Sequence, residues 1–289
     1  MASNLARQWH DIALTAVAPT IWGSTYIVTT ELLPTGRPFT AALIRALPAG
    51  LILVLCTRTL PARSDWVRLL ALSALNIGAF QALLFVAAYR LPGGLAAVLG
   101  AIQPLLVMGL AWVLAGQPPR RTTLWAAVAG VVGMAILLLS PRTVYDPIGV
   151  AAALSGAACM ATGTWLTRRW SLELPVLPLT GWQLLLGGAM LAPLAVWGEA
   201  PLPPLSGPQC LAYAYLCLAG ALLAYVLWFR GIGRLPTVAV SSLGLLSPIT
   251  AVVLGWLLLA QAITGLAFAG LLVVLASIAI VQWTASRVR

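Results

Sequence analysis

The 289-residue chain contains no lysine, only one histidine and only six carboxylates, so charged residues make up 8% of it. A soluble globular domain needs more polar surface than these few charges provide. All sixteen basic residues are arginines scattered singly or in pairs between apolar runs, whereas a nucleic-acid-binding protein clusters them on one face. With 61% hydrophobic residues and a mean hydropathy of +1.00, the chain is predicted to lie in lipid.

Residues with the chemistry of catalysis or metal binding are also scarce. The sequence has no HExxH and no GxSxG motif, and no acidic pair lies within an apolar run. The four cysteines form no CxxC pair and have no histidine beside them, so neither a metal site nor a disulfide is predicted. We therefore expect no enzyme activity and no cofactor.

Ten apolar runs alternate with short breaks rich in proline, glycine and arginine. Each run is about long enough to cross a hydrocarbon core of ~30 Å, which takes roughly 20 helical residues. None of the breaks is long enough for a soluble domain. The runs lie near residues 12–31, 39–57, 67–89, 93–115, 123–140, 147–167, 177–197, 209–229, 236–259 and 262–283.

The second half of the sequence repeats the first at a spacing of 144 residues. The matches involve scarce residue types, which do not coincide by chance in an apolar chain. They place Arg90-Leu91-Pro92 on Arg234-Leu235-Pro236, Gly100 on Gly244, Pro104 on Pro248, Trp112 on Trp256 and Gln117 on Gln261. Two copies, 1–143 and 144–289, would hold five spans each. Since five is odd, the second copy enters the membrane from the opposite side, as in many secondary transporters.

The arginines indicate the orientation. With a cytoplasmic N-terminus, one face collects Arg7, Arg58, Arg63, Arg68, Arg120, Arg121, Arg168, Arg169, Arg230, Arg234, Arg287 and Arg289. The other face collects only Arg37, Arg90 and Arg142. Because cytoplasmic loops carry the excess of positive charge, both termini are predicted to be cytoplasmic. The fold class predicted is an all-α polytopic membrane protein, with ten transmembrane helices in two inverted-topology five-helix repeats.

Several stretches resemble the EamA-type repeats of the drug/metabolite transporter superfamily. They are Ile21 to Tyr26, Arg45 in the second span, Leu84 to Tyr89 through Pro104 to Gln117, and Leu227 to Arg230 through Pro248 to Gln261. The chain departs from the usual pattern at Gly116-Gln117 and Ala260-Gln261, where Gly-Glu is common, and at Thr29-Thr30-Glu31, where a basic residue is common. Within the superfamily it is most similar to the YddG-type amino-acid exporters. The resemblance implies a ten-helix transporter.

Uncharged polar and aromatic residues fall inside the spans in a pattern that the repeat relates. Trp22, Thr25 and Tyr26 share one helix face, and Gln81 corresponds to Tyr225. The alternative for each residue is a structural role, since membrane Ser and Thr bond to their own backbone and aromatic rings pack. The candidate substrate-binding residues are Trp22, Thr25, Tyr26, Asn76, Phe80, Gln81, Gln103, Thr164, Trp165, Tyr225, Trp228, Ser242 and Ser247.

Two prolines and an arginine inside the spans have distinct chemistry. Pro104 and Pro248 each follow a glycine, Gly100 or Gly244, by four residues, which predicts either a hinge or a fixed kink in each repeat. Arg45 could bind a substrate carboxylate, or it could snorkel to the outer interface or cap neighbouring helix carbonyls.

Together these features predict an inner-membrane transporter that exports amino acids or related small metabolites by alternating access, as a facilitator of broad specificity. Its partners would be the small-molecule substrate and membrane lipid, and not nucleic acid. Two alternatives stay open: an exchanger of nucleotide sugars or phosphorylated metabolites, and a membrane scaffold without transport activity. The first alternative needs several cavity cations, of which the sequence offers only Arg45.

Overall fold

The computed structural model describes residues 2–91, 99–138, 146–259 and 265–286. Within these ranges every regular element is a helix and no strand occurs. In chain order the α-helices are α1 (Ala2–Leu32), α2 (Pro38–Thr57), α3 (Trp66–Ser73), α4 (Ala79–Arg90), α5 (Gln103–Ala115), α6 (Arg121–Leu138), α7 (Pro147–Trp170), α8 (Val176–Gly198), α9 (Gly207–Cys217), α10 (Ala224–Arg234), α11 (Thr237–Leu243), α12 (Leu246–Leu259) and α13 (Gly265–Ser286).

Two π-helical segments lie inside the third and eighth spans. The segment π1 (Ala74–Gly78) joins α3 to α4, and π2 (Leu218–Leu223) joins α9 to α10. Their first residues are 144 positions apart, which is the spacing of the sequence repeat. Short π segments are rare and occur frequently at functional sites. The apolar pattern of these spans did not predict them.

Nine helical stretches of the described residues are long and apolar enough to cross a membrane. The fourth predicted span is represented by α5 alone, because residues 92–98 lie outside the described ranges. The class of all-α polytopic membrane protein is therefore confirmed. Large apolar side chains cover the outer surface, among them Trp197 at 85% exposure and Val113 at 80%, as expected where lipid and not water is the solvent.

The first helix is longer than predicted. It begins at Ala2 instead of residue 12, so Asp11 lies within α1 and not beyond its end. Neither glycine nor proline occurs between Ala2 and Asp11, and the helix therefore continues out of the apolar run.

Small residues let two pairs of helices approach backbone to backbone. A side chain on Gly50 of α2 would clash with the backbone of Leu185 in α8, and one on Gly188 of α8 would clash with Leu47 in α2. The sequence did not single out this contact. The fifth and tenth spans also approach closely, since the position of Gly270 in α13 leaves no room for a side chain beside Leu137 of α6.

The fourth and ninth spans are each interrupted just before the proline. The helix α11 ends at Leu243 and α12 begins at Leu246, with Pro248 in the first turn of α12. Likewise Pro104 lies in the first turn of α5. A first-turn N–H has no partner within its helix, so proline loses no hydrogen bond there.

Candidate functional site

Three aromatic rings from two helices meet in the interior of the bundle. The ring centroid of Trp22 on α1 lies 5.0 Å from that of Tyr225 and 5.2 Å from that of Trp228, both on α10. Tyr225 also stacks on Phe229 at 5.8 Å. Tyr225 and Trp228 are 2% and 1% exposed. We call Trp22, Tyr225 and Trp228 the aromatic cluster; it joins the first span to the eighth.

A backbone carbonyl of π2 accepts hydrogen bonds from two neighbouring helices. The indole Nε1–H of Trp22 donates to the oxygen of Gly220 at 2.9 Å, and the guanidinium of Arg45 donates to the same oxygen at 3.0 Å. In an α-helix the N–H of residue 224 would occupy this carbonyl. Here it donates to the carbonyls of Ala219 and Ala221. The π turn therefore leaves the Gly220 oxygen available to side chains.

One hydrogen bond joins two positions that the repeat relates. Gln81 Nε2 on α4 donates to the hydroxyl oxygen of Tyr225 at 3.0 Å, and the two residues are 144 positions apart. Both side chains are buried. The bond connects the aromatic cluster to the third span.

Several buried polar atoms near the cluster have no hydrogen-bond partner among the described residues. They are the donors Trp228 Nε1 and Gln103 Nε2 and the acceptor Gln81 Oε1. A side chain built on Gly244, at the break in the ninth span, would come within 4 Å of Gln103 Oε1 and of Trp228. Buried polar groups almost always have partners, so these atoms suit a polar ligand or ordered water.

Other candidate residues make contacts elsewhere. Asn76 Nδ2 donates to Gln183 Oε1 at 2.8 Å and to Thr167 Oγ1 at 3.2 Å, which connects π1 to α8 and α7. Ser242 Oγ accepts a hydrogen bond from Gln282 Nε2 of α13 at 3.0 Å. These contacts hold helices together, and none of them reaches the aromatic cluster.

The remaining candidates are placed as follows. Thr25 donates to the carbonyl of Trp22, and Thr164 is fully buried, with no hydrogen-bond partner for its hydroxyl in the described part of the chain. Phe80, Trp165 and Ser247 are half-buried, and the backbone oxygen of Ser247 lies against Gly23 of α1. The side chain of Tyr26 lies outside the described residues.

Ion pairs close the two ends of the bundle. At one end Asp11 of α1 accepts hydrogen bonds from Arg230 at 2.6 Å and from Arg234 at 3.3 Å, both on α10. At the other end Arg90 of α4 pairs with Asp146 at 3.4 Å, just before α7. Arg90 and Arg234 occupy matching positions of the repeat. Each ion pair joins a helix from residues 1–143 to an element from residues 144–289.

The Asp146 carboxylate also caps α7. It accepts the backbone N–H of Gly149 at 2.8 Å, and this bond, together with the Arg90 guanidinium, lowers the pKa of Asp146. Asp11, by contrast, has a largely buried side chain. The Arg230–Asp11 pair, with both side chains largely buried, is therefore better shielded from solvent than the Arg90–Asp146 pair.

The sequence missed three features of this region. The role of the Gly220 carbonyl as a hydrogen-bond acceptor could not be predicted from the sequence, because every residue has a backbone carbonyl. The pairing of Asp11 with Arg230 was missed because α1 was expected to start after Asp11. Gln183, the partner of Asn76, was not singled out. Among the described residues no group of three or more His, Cys, Asp or Glu side chains could hold a metal ion.

The EamA-like transporter family matches the chain at residues 11–139 and again at 147–283. Protein PecM of Dickeya dadantii is 44% identical over 268 residues, which cover 92% of this chain and 90% of PecM. The uncharacterized inner membrane transporter YicL of Salmonella typhimurium is 25% identical over 284 residues, covering 94% of each chain. A solved crystal structure shares the fold, with a TM-score of 0.82 over 97% of this chain and 99% of that one at 19% identity. The chain thus belongs to the EamA-like transporter family of membrane proteins.

Proposed function

We propose that this transporter exports amino acids or related small metabolites across the bacterial inner membrane, as a facilitator of broad specificity that works by alternating access. The observation that carries the proposal is the aromatic cluster with its unpartnered indole and amide groups. The name of YicL, an inner membrane transporter, supports the location.

The chemistry of the interior suits a small zwitterion. Trp228 Nε1 and Gln103 Nε2 can donate hydrogen bonds to a polar substrate, and Gln81 Oε1 can accept one from an ammonium group. The aromatic rings offer apolar surface to side chains of different size. A lining of rings and neutral dipoles gives weak and broad recognition, which is what a facilitator of several substrates needs.

Alternating access would use the two copies, 1–143 and 144–289, as bodies that move against each other. The broken fourth and ninth spans supply places where a helix can bend, with Gly100 and Pro104 in one and Gly244 and Pro248 in the other. Discontinuous helices near the substrate site are common in secondary transporters. The ion pairs at the two ends would open in turn.

A second candidate substrate class is favoured by the buried guanidinium of Arg45. Nucleotide sugars and phosphorylated metabolites carry several negative charges, and a cation in the interior would attract them. One arginine neutralises only part of that charge. For this reason we place the zwitterionic substrates first, and a non-transporting scaffold last.

The test is counterflow in liposomes. Purified protein is reconstituted into vesicles that hold an excess of one unlabelled neutral amino acid, and uptake of a trace of the labelled compound is followed with the proton gradient collapsed by an ionophore. We expect transient accumulation for several neutral amino acids and none in protein-free vesicles. Strict dependence on a proton gradient would refute the facilitator, and exchange of UDP-glucose without any amino acid would refute the substrate class.

A further inference from the structure

Two donors on separate helices converge on one backbone oxygen in the interior. Arg45 lies on α2 and is 8% exposed, and Trp22 lies on α1. Both donate to the carbonyl of Gly220, from distances of 3.0 and 2.9 Å. Contacts from α1 and α2 thus hold the π2 segment at a single atom.

A neutral carbonyl is a weaker hydrogen-bond acceptor for a guanidinium than a carboxylate is. Burying a guanidinium within a membrane span costs free energy, and such residues commonly mark substrate pathways. The bond from the guanidinium to the carbonyl is already charge-assisted, but a carboxylate adds Coulomb attraction and can accept two parallel N–H bonds. A carboxylate that reached Arg45 would therefore replace the Gly220 oxygen.

We propose that the Arg45 guanidinium and the Trp22 indole N–H form the binding site for the carboxylate of the transported substrate, which displaces the Gly220 carbonyl from both donors. This inference rests on the proposed transport of amino acids, and it adds the group that is recognised. It predicts that compounds without a carboxylate are poor substrates.

The surroundings offer groups that suit the rest of an amino acid. The ring of Trp22 is in contact with those of Tyr225 and Trp228, so an apolar side chain bound beside Trp22 meets aromatic surface. The buried Oε1 of Gln81, whose amide nitrogen bonds to Tyr225, has no partner among the described atoms and can accept a hydrogen bond from the substrate ammonium.

Displacement of the Gly220 carbonyl also connects binding to movement. While Arg45 and Trp22 hold that oxygen, π2 is tied to α1 and α2. Once a carboxylate takes their hydrogen bonds, the segment loses both ties and can shift relative to the first two helices. A substrate that binds one arrangement more tightly than the other shifts the population between them.

Trp22→Phe tests the site, because it keeps an aromatic ring and removes the N–H. In phenylalanine counterflow, we expect the half-saturating concentration to rise about tenfold, as for the loss of one hydrogen bond to a charged group. The matched control is Trp182→Phe. Trp182 Nε1 also donates to a backbone carbonyl, that of Thr59 at 2.9 Å, but this bond joins α8 to the segment after α2. The control should leave the half-saturating concentration unchanged.

Competition by three related compounds identifies the recognised group. L-Phenylalanine and 3-phenylpropionate, which both have a carboxylate, should compete for phenylalanine counterflow, and phenethylamine, which lacks it, should not. Arg45→Lys retains the charge but loses the planar fork of N–H groups. It should therefore weaken competition by L-phenylalanine and 3-phenylpropionate, and phenethylamine should still not compete.

The outcomes separate this inference from the proposed function. If phenylalanine is exchanged and phenethylamine competes equally well, the carboxylate site is wrong and amino-acid transport stands. Suppose instead that no amino acid is exchanged, but that 3-phenylpropionate is, and that Trp22→Phe raises its half-saturating concentration about tenfold. The carboxylate site then stands and the substrate class is wrong. If neither compound is exchanged, both proposals fail.

Discussion

At the residue scale, Tyr225 is held in place by two kinds of contact. Its ring packs between Trp22 and Phe229, and its hydroxyl accepts the hydrogen bond from Gln81. The ring contacts fix the plane of the side chain, and the hydroxyl fixes how far it reaches toward the third span. A change at either partner therefore alters the shape of the interior.

Tyr225→Phe should lower the free energy of unfolding by about 1 kcal/mol, because it leaves the buried amide of Gln81 without its partner. The double variant Gln81→Leu with Tyr225→Phe should be closer to the wild type, since removing both partners leaves no unpaired group there. Thermal unfolding of the purified proteins in detergent measures both effects. A double variant less stable than the sum of the two single variants would contradict this account.

The structure brings some of the candidate side chains together and not others. Gln81 and Tyr225, which the sequence related only by the repeat, share a hydrogen bond. Helix periodicity gives the face of a residue but not its neighbour, which depends on how helices cross. The contacts of Asn76 with α7 and α8, away from the aromatic cluster, therefore do not follow from helix periodicity.

At the element scale, the break between α11 and α12 is maintained by short turns. The N–H of Gly244 donates to Ser241 and the N–H of Ser247 donates to Gly244, each across three residues. Pro248 has no N–H to offer the carbonyl of Gly244, so a regular α-helical bond across the break is not formed. The proline thus keeps the ninth span in two pieces.

Pro248→Ala should slow exchange roughly fivefold. The new N–H can bond to the carbonyl of Gly244, and this bond would stabilise a continuous ninth span by about 1 kcal/mol against bending. The expected insertion and yield are those of the wild type. Counterflow rates at equal protein amounts measure the effect, with Pro193→Ala as the control, since Pro193 lies inside the continuous helix α8. Equal rates in the wild type and the Pro248 variant would reduce the proline to a fixed element of shape.

The elements themselves were largely predictable, since apolar runs of membrane length have few alternatives to helix. The π segments were not, because a π turn changes hydrogen-bond register without changing hydropathy. The interruptions of the fourth and ninth spans were not predicted, for a related reason. A proline within an apolar run is compatible both with a kink and with the first turn of a new helix, and only tertiary contacts decide between them.

At the scale of the whole molecule, the arginine distribution predicts which end of the bundle faces the cytoplasm. Contacts in the structure show which residues share an end of the bundle, but not which end faces the cytoplasm. Asp11, Arg230 and Arg234 meet at one end, and Arg90 and Asp146 meet at the other. Both groupings agree with the alternation that the ten spans require.

Single cysteines at two glycines test the orientation in a variant without the four native cysteines. A side chain at Gly233, near the end of α10, or at Gly198, at the end of α8, meets no neighbour within 4 Å. In intact cells, a membrane-impermeant thiol reagent should label Gly198→Cys and spare Gly233→Cys until the membrane is permeabilised. Labelling of both from outside would refute the proposed topology.

The two π segments also bear on the history of the chain. Both begin at the same register of the 144-residue repeat, in the third and eighth spans. Because such turns are rare, their coincidence is explained most simply by one ancestral event. A single five-helix unit would already have had this irregular turn before its gene was duplicated. The two descendants then diverged around it: the later copy has glycine at position 220, where the earlier has Asn76. The irregular turn therefore binds neighbouring helices through an amide side chain in one copy and through a backbone oxygen in the other.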